Sequence, residues 1–345
     1  MNKIDLGDLG LGEMEEVFFK MGVEKYRAGQ VYGWINRKLV NDFAQMTNLS
    51  LGLRKALQEN FKLSNMEVLE KNVSNMDNTI KYLFKLEDKN IIESVLMKYK
   101  YGNSVCISTQ VGCRMGCKFC ASSFHGMVRN LTAREILLQV YEMQRDMSGE
   151  RISNIVLMGQ GEPLDNLANV VKFIGIINSK EGLNISNRNV TLSTCGLIDK
   201  INELKEKNIK ITLAVSLHAP TDEIRLKIMP IAKKNPLDEL LLCCFKYANH
   251  TKRRVTFEYA MIKGLNDSII HAHALSKKLS GTLSHVNLIP INEIEEASYE
   301  KSSKKAIEGF HRVLESNGIE ATIRRKLGSD INASCGQLRN RVLNK

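Results

Sequence analysis

The feature that most restricts the fold is a regular alternation of apolar β-type segments and helical segments from Ser104 onward. Seven segments have the composition of strands: SVCIST, ISNIVLMG, NVTLSTC, ITLAVSLHA, RVTFEYAMI, SHVNLIPIN and EATIRR. Amphipathic stretches lie between them: AREILLQVYEMQRDM, LANVVKFIGIINS, IDKINELKEK, LDELLLCCFKYANH and SIIHAHALSKKL. Such alternation is typical of a parallel sheet covered by helices. About six repeats predict an α/β fold built as a partial (β/α)6 barrel.

The residues before this region follow a different pattern. The first ~75 residues contain short amphipathic stretches, such as EMEEVFFKMG and LSLGLRKALQENF, separated by Gly and Asn. Two segments then alternate as strands do, TIKYLFKLED and NIIESVLMKYKYGNSVCIST, with LEDKN as the turn. We therefore predict a small helical accessory domain over residues 1–75, a β-hairpin linker over 76–103 and a core over 104–345.

Composition indicates an ordinary globular protein with excess positive charge, since 43% of residues are hydrophobic and 25% are charged. No apolar stretch reaches membrane-spanning length and the chain does not begin with a hydrophobic signal, so we expect a cytoplasmic protein. The formal net charge of +11 favours a polyanionic partner such as RNA. Basic residues cluster at 233–234, 252–254, 304–305 and 324–326, although each cluster also fits a solvated surface.

Three of the eight cysteines are spaced C-x₃-C-x₂-C, at Cys113, Cys117 and Cys120. Reduced thiols in the cytosol favour metal binding or catalysis over a disulfide framework. Three thiolates are one fewer than the four ligands of a structural zinc site. They suit a [4Fe–4S] cluster in which three irons bind cysteine and the fourth keeps an open position. A zinc knuckle with a distant fourth ligand is the alternative.

Longer motifs resemble one family closely. The three-cysteine segment is similar to the cluster loop of the radical S-adenosylmethionine (SAM) enzymes, whose usual architecture is the partial barrel. The segments SVCISTQVGCRMGCKFCAS, GQGEPLDN, TLSTCG, AVSLHAP, HVNLIPIN and SDINASCGQLR resemble the RlmN-type dual-specificity 23S rRNA methyltransferases, with the Cfr enzymes as cousins. These motifs occur in the family's order and span over two-thirds of the chain.

The resemblance implies methylation of C2 of an adenosine in 23S rRNA, of the adenosine-2503 type, and in many members of adenosine 37 in tRNA. Adenine C2 is electrophilic, so direct displacement from SAM fails. The family instead methylates its own cysteine with one SAM. A second SAM, cleaved by an electron from the cluster, then turns that methyl group into a radical that adds to the adenine.

The resemblance also implies the residues that do this chemistry. The three motif cysteines would hold the cluster, and Cys335 would carry the methyl group. Cys106 would release the RNA by a transient disulfide with Cys335, and Glu93 would accept the adenine proton. From the residues alone, Cys106 is better interpreted as a buried inert thiol and Glu93 as a solvent-facing carboxylate on an edge strand.

Polar residues at strand ends become SAM contacts under the same resemblance, because barrel chemistry collects at the C-terminal ends of strands. The set is Gly161, Glu162, Ser193, Ser216, Leu217, His218 and Asn292. Glu162 would accept a hydrogen bond from the SAM ammonium group. Gln160 departs from the apolar residue usual in the family, which puts local SAM packing in question. The other three cysteines are predicted to pack in the core: Cys195, Cys243 and Cys244.

The implied partners are 23S rRNA, tRNA in many members, and a flavodoxin or ferredoxin electron donor; we expect a monomer. One alternative is Cfr-type methylation of adenine C8, which Pro163 disfavours because Cfr enzymes tend to carry alanine there. A second is a non-enzymatic, metal-containing RNA-binding protein. A third is a radical SAM enzyme that acts on a peptide or small molecule.

Overall fold

The computed structural model describes residues 3–292, 297–325, 327–334 and 336–338. Within them the strands are β1 Ile4–Asp5, β2 Phe61–Lys62, β3 Glu67–Val73, β4 Ile80–Lys85, β5 Ile91–Tyr99, β6 Gly102–Cys106, β7 Gln110–Gly112, β8 Met127–Asn130, β9 Ile152–Leu157, β10 Val190–Thr194, β11 Thr212–Ser216, β12 Val255–Met261, β13 Ser284–Pro290 and β14 Ala321–Ile323. The α-helices are α1 Leu11–Lys20, α2 Lys25–Asn36, α3 Leu51–Asn60, α4 Ala133–Asp146, α5 Leu167–Asn178, α6 Ile198–Glu206, α7 Asp222–Ile228, α8 Leu237–Thr251, α9 Ile269–Leu279 and α10 Lys304–Ser316.

Ten strands form one sheet in the order β14-β13-β12-β11-β10-β9-β6-β5-β4-β3. The seven from β6 to β14 are parallel, and six crossovers join them. Every crossover contains a helix, which packs its apolar side on the sheet. The predicted α/β architecture with a partial (β/α)6 barrel is confirmed. Two helices of the crossovers, α7 and α10, were not predicted.

The other three strands of the sheet, β3 to β5, are antiparallel and extend it beyond β6. The turn between β4 and β5 falls on the predicted LEDKN segment, where the N–H of Leu86 donates to the carbonyl of Asn90 at 2.9 Å. Strand β3 lies inside residues 1–75, the segment expected to be helical, and pairs with β4 in the expected linker. The structure therefore has a continuous meander here instead of a separate hairpin.

The N-terminal helices pack on α4 through a buried arginine. Arg134 is 1% exposed, and its Nε and Nη2 donate to the carbonyl of Ser64 at 3.3 and 3.2 Å. Its backbone N–H donates to Asp8 at 2.8 Å. A Cβ on Gly7 would lie 2.6 Å from this guanidinium, so only glycine permits the close approach. The N-terminal segment and the barrel therefore share one hydrophobic core.

The C-terminal segment lies across the antiparallel strands. Asp330 accepts from the hydroxyl of Ser74 at 2.8 Å and from the N–H of Asn75 at 3.0 Å. The N–H of Gly328 donates to Asp77 at 2.9 Å. These bonds attach residues 327–334 to the turn between β3 and β4. In the described part of the chain, no helix combines the length and apolar character needed to cross a lipid bilayer.

Candidate active site

A cavity of about 1010 Å³, counting the space at its opening, lies at the C-terminal ends of the parallel strands. We call it the mouth cavity. Nine of the predicted site residues line it: Cys113, Cys117, Cys120, Gly161, Glu162, Ser193, Ser216, His218 and Asn292. Residues far apart in sequence meet here because parallel strands bring their carboxyl ends to one edge of the sheet.

The three motif cysteines lie on a loop closed by the small hairpin of β7 and β8. A Cβ on Gly112 would come within 2.0 Å of the carbonyl oxygen of Gly126, so the loop can close only over glycine. The N–H of Cys113 donates to that carbonyl at 3.0 Å. The loop also contacts α7, whose last carbonyl, at Ile228, accepts from the N–H of Lys118 at 2.9 Å. These contacts fix the loop at the cavity wall.

The three motif cysteines are close enough for their charges to affect one another's pKa. Burial raises the pKa of the Cys117 thiol well above its usual range, and the Cys120 and Cys113 thiolates raise that pKa further. Burial likewise raises the pKa of Cys113 to about 12. Thiolates at such positions require nearby positive charge, which a bound metal centre supplies.

Glu162 is a buried carboxylate with well-defined partners. One oxygen accepts from the N–H of Leu164 at 3.0 Å and the other from the N–H of Cys195 at 2.7 Å. Burial raises the pKa of Glu162, while these hydrogen bonds oppose that rise. Each carboxylate oxygen can accept more than one hydrogen bond, so Glu162 can still receive a ligand donor while fixing the loop after β10.

Gly161 allows the loop after β9, which carries Glu162, to pass close to β7. Its φ is +99°, and a Cβ would lie 2.5 Å from the Cβ of Gln110. The side chain of Gln110 in turn accepts from the N–H of Glu162 at 2.8 Å. Gly161 therefore sets the position of the neighbouring carboxylate.

His218 is held in a strained backbone conformation, with φ of +57°. Its Nδ1 accepts from the N–H of Ala260 at 2.8 Å, and its ring meets the Phe119 ring edge-on at 4.8 Å between centroids. Burial lowers the pKa of His218 to about 3, so the imidazole is neutral and its Nε2 carries the proton. A neutral donor therefore faces the mouth cavity.

Two charged residues of the mouth cavity were not predicted from the sequence as cavity residues. Glu258 of β12 lies in the cavity wall, and Asn287 donates to it at 2.9 Å. Arg324 was assigned to an exposed basic cluster, but it lines the mouth cavity just after β14; Lys326 of that cluster lies outside the described residues. A carboxylate inside the apolar strand VTFEYAM was the signal for Glu258.

Cys195 also differs from the prediction, because it lines the mouth cavity instead of packing only in the core. Its carbonyl accepts from Nη2 of Arg225 at 2.7 Å, while its N–H binds Glu162. Arg225 is fully buried and also donates to the carbonyl of Asn235 at 2.9 Å. The two peptide groups on either side of the Cys195 Cα thus connect a buried carboxylate and a buried cation. Cys243 and Cys244 are buried in α8, as predicted.

A second, smaller cavity, which we call the side cavity, contains Cys106 at the end of β6. Ala333 and Ser334 of the C-terminal segment line its opposite wall. Three residues line both cavities: Met158, Arg324 and Leu338. The two cavities are therefore adjacent, with shared walls.

Glu93 lies on the face of β5 that the C-terminal segment covers. It is 1% exposed on an interior strand, so the solvent-facing edge position considered for it is wrong. Its carboxylate lies 4.0 Å from Nζ of Lys81, which also donates to the carbonyl of Asn332 at 3.4 Å. A buried carboxylate is thus held beside the segment that precedes Cys335.

Two further predicted site residues remain, Leu217 and Cys335. Leu217 is buried in the hydrophobic core, and only its backbone N–H takes part locally, donating to the carbonyl of Glu258 at 3.0 Å. Cys335 lies outside the described residues. The next residue, Gly336, lines the mouth cavity, and its carbonyl accepts from the N–H of Ala121 at 2.8 Å.

The chain is similar to known proteins along nearly its whole length. Residues 107–275 match the radical SAM superfamily, and residues 4–63 match the ribosomal RNA large subunit methyltransferase N-terminal domain. A probable dual-specificity RNA methyltransferase RlmN from Clostridium botulinum (strain Okra / Type B1) is 54% identical over 98% of both chains. One of the same name from Alkaliphilus metalliredigens is 52% identical over 99% of this chain and 97% of its own.

A solved structure agrees as well. The crystal structure of a radical SAM methyltransferase from Sphaerobacter thermophilus superposes with a TM-score of 0.93 at 41% identity, over 97% of this chain and 99% of that one. The match includes the N-terminal helices as well as the barrel. The resemblance drawn from the motifs is confirmed: the chain belongs to the RlmN family of radical SAM methyltransferases.

Proposed function

We propose that this enzyme methylates C2 of an adenosine in 23S rRNA, of the adenosine-2503 type, and adenosine 37 in tRNA, through an S-methylcysteine intermediate. The observation that carries the proposal is the mouth cavity itself. It gathers the three motif cysteines, the predicted SAM contacts other than Leu217, and Gly336, which follows Cys335, around one space. The names of the RlmN relatives support RNA as the substrate.

Membership of the radical SAM superfamily implies a [4Fe–4S] cluster and SAM, and the donor set fits both. Among the described residues, no three Cys, His, Asp or Glu side chains converge to hold a single metal ion. A cluster makes a different demand, because each cysteine binds a separate iron. When bound, the cluster supplies the electron that cleaves SAM. Cys113, Cys117 and Cys120 would hold it, and we propose two SAM molecules per turnover.

The remaining polar groups of the mouth cavity would bind and orient SAM. Glu162 would accept from the SAM ammonium, as its position beside the cysteine loop supports. His218 would donate from Nε2, and the strand-end residues Ser193, Ser216 and Asn292 offer further neutral groups. Leu217 would contribute its backbone alone. Substrate binding by mostly neutral groups suits a cavity in which charge is costly.

The proposed methyl carrier is Cys335 and the proposed resolving thiol is Cys106. Ser334 lines the side cavity with Cys106, whereas Gly336 lines the mouth cavity. The residues before and after Cys335 therefore border the two spaces that a methyl carrier must serve. In the proposed reaction, the Cys106 thiolate attacks the Cys335 sulfur and the bond from that sulfur to the RNA-bound carbon breaks. A disulfide forms, and the carbon keeps the bonding electron pair and takes up a proton to become the methyl group.

Glu93 is the proposed proton acceptor, and its buried position beside Lys81 supports that role. Replacing Glu93 by glutamine is expected to lower product formation by about 10²–10⁴-fold, because the amide cannot take the adenine proton. Iron content and SAM binding should not change. Single-turnover methylation assays would measure the effect. The control is Glu67→Gln, which alters an exposed carboxylate paired with Lys85; wild-type rates for the Glu93 variant would leave this residue a structural role only.

Disruption of the gene tests the function directly. Digested 23S rRNA from wild-type cells is expected to contain 2-methyladenosine, and the disrupted strain should lack it. Mass spectrometry with chromatography separates this nucleoside from 8-methyladenosine. A mark at C8 would favour the Cfr-type reaction, and unchanged RNA in both strains would contradict RNA methylation. The same digests of tRNA test the second substrate.

We propose that the protein is a cytoplasmic monomer that receives electrons from a flavodoxin or ferredoxin. We also propose that the helices within residues 1–75 form an RNA-binding accessory unit beside the core over 104–345. The positive net charge of the chain supports RNA as the partner.

A further inference from the structure

A third cavity lies at the opposite end of the barrel from the mouth cavity. We call it the basal pocket; it measures about 730 Å³, open to solvent, and its lining residues are Arg188, Lys210, Thr251, Lys252 and Arg253. Four of these five residues are basic, and none is acidic or aromatic. The pocket has no part in the chemistry described above.

The basal pocket belongs to a line of positive charge along the N-terminal ends of neighbouring strands. Arg151 precedes β9, Arg188 precedes β10, Lys210 precedes β11 and Arg253 precedes β12, and these strands are adjacent in the sheet. With strands about 4.8 Å apart, the line extends over roughly 14 Å. A row of this length can contact successive negative charges of an extended polyanion.

Within the described part of the chain, the charges of the basal pocket are not used in ion pairs. Among the described residues, no carboxylate forms a salt bridge with Arg188, Lys210, Lys252 or Arg253, whereas the adjacent Arg254 pairs with Glu320 at 2.6 Å. Arg253 is held in place by donating to the carbonyl of Lys210 at 2.9 Å and to the hydroxyl of Thr212 at 2.8 Å. Burial lowers the pKa of Arg253, and the positive charge of Arg188 lowers it further. The cations of the pocket therefore repel one another.

Lys252 occupies a backbone position that favours glycine. It follows α8 with φ of +55° and ψ of +32°, the left-handed conformation that usually carries Gly or Asn after a helix. The end of the α8 dipole attracts a cation, but Lys residues within the last helical turn would serve equally well. A charged side chain therefore occupies a strained site beside three other cations.

We propose that the basal pocket binds the phosphodiester backbone of the substrate RNA, away from the target nucleotide. The inference rests on the proposed RNA substrate and adds a second contact to it. The lining consists of four cations and a threonine, with no aromatic side chain for a base to stack on, which fits phosphates better than a nucleobase. An acidic electron-transfer protein fits poorly, because the cluster loop lies at the other end of the strands, roughly 15 Å along the barrel.

The test compares two double variants that remove equal charge, Arg188→Gln/Lys210→Gln in the basal pocket and Lys304→Gln/Lys305→Gln on the exposed face of α10. Binding would be measured over a salt titration with a long 23S rRNA transcript and with a short stem–loop that contains the target adenosine. The basal variant is expected to lose about two units of salt slope and roughly tenfold affinity for the long transcript. The stem–loop should bind as it does to the wild type.

Lys252→Gly separates binding from folding. This variant should melt at a higher temperature, because glycine suits the left-handed conformation, and yet bind the long transcript more weakly. Unchanged affinity of the basal variants for the long transcript would overturn the inference, as would an equal loss in the α10 variant. The inference would also fail if a flavodoxin reduced the basal variants more slowly while their RNA binding stayed normal. That result would assign the pocket to a protein partner.

Results that contradict the proposed function can be told apart from results that contradict the basal-pocket contact. If wild-type protein did not methylate either RNA, the substrate assignment would fail whatever the salt slopes showed. If wild-type protein methylated the stem–loop and the basal variants bound long RNA normally, only the second contact would be lost.

Discussion

Alanine in place of Cys117 is expected to remove the iron and abolish methyl transfer while the polypeptide stays folded. Cys117 lies between the other two motif cysteines on a loop that the β7–β8 hairpin and α7 already fix. Losing one thiolate leaves two ligands for a cluster that needs three from the protein. The unfolding free energy of the metal-free protein should change by no more than about 1 kcal/mol, because the loop contacts are backbone hydrogen bonds. Iron analysis, visible absorption and chemical denaturation measure these outcomes.

Cys195 supplies the matched control. It lines the same cavity and is buried, but it lies outside the C-x₃-C-x₂-C segment. Cys195→Ser should therefore keep the full iron content. The contacts of Cys195 are made by its backbone, whose N–H binds Glu162 and whose carbonyl binds Arg225. If Cys195→Ser lost iron as Cys117→Ala does, Cys195 would be a ligand. If Cys117→Ala kept its iron, the assignment of the motif cysteines would fail.

The sequence predicted the elements whose signals are periodic or local. Alternating apolar and amphipathic segments indicated the parallel sheet, and the polar residues directly after the strands proved to line one cavity. This followed from topology, because every carboxyl end of a parallel strand reaches the same edge. The LEDKN turn could be predicted because its signal lies within its own five residues.

Buried charges were harder to predict. Glu258 and Arg225 occur in segments that, residue by residue, are ordinary for a strand and a surface helix. Whether such a charge is exposed or turned inward depends on partners distant in sequence, such as Asn287 for Glu258 and Cys195 for Arg225. Strand β3 was missed for a similar reason, since its side chains are mostly exposed and only pairing with β4 defines it.

The second large effect concerns Arg225. Arg225→Met is expected to lower the unfolding free energy of the metal-free protein by about 3 kcal/mol, because two buried carbonyls, of Cys195 and Asn235, lose their donor. Arg225→Lys should recover only part of this, since one ammonium group cannot reproduce the forked geometry. Urea denaturation measures both values.

Arg225 should also affect SAM binding without touching SAM. Its guanidinium fixes the carbonyl of Cys195, and this holds the backbone of the residue whose N–H donates to Glu162. Losing the cation frees that backbone to rotate and weakens the bond that orients the carboxylate. SAM affinity should fall on the order of tenfold, as for other residues that position a ligand-binding group.

Arg134→Met separates this effect from general loss of stability. Arg134 is equally buried but binds the carbonyl of Ser64, far from the mouth cavity, so its variant should lose stability and keep SAM affinity. Equal loss of affinity in both variants, measured by equilibrium dialysis, would mean that Arg225 acts only through the fold. A selective loss in the Arg225 variant would establish that a cation on α7 sets the position of the carboxylate through the backbone of Cys195. SAM binding would then depend on a residue outside every motif that identified the family.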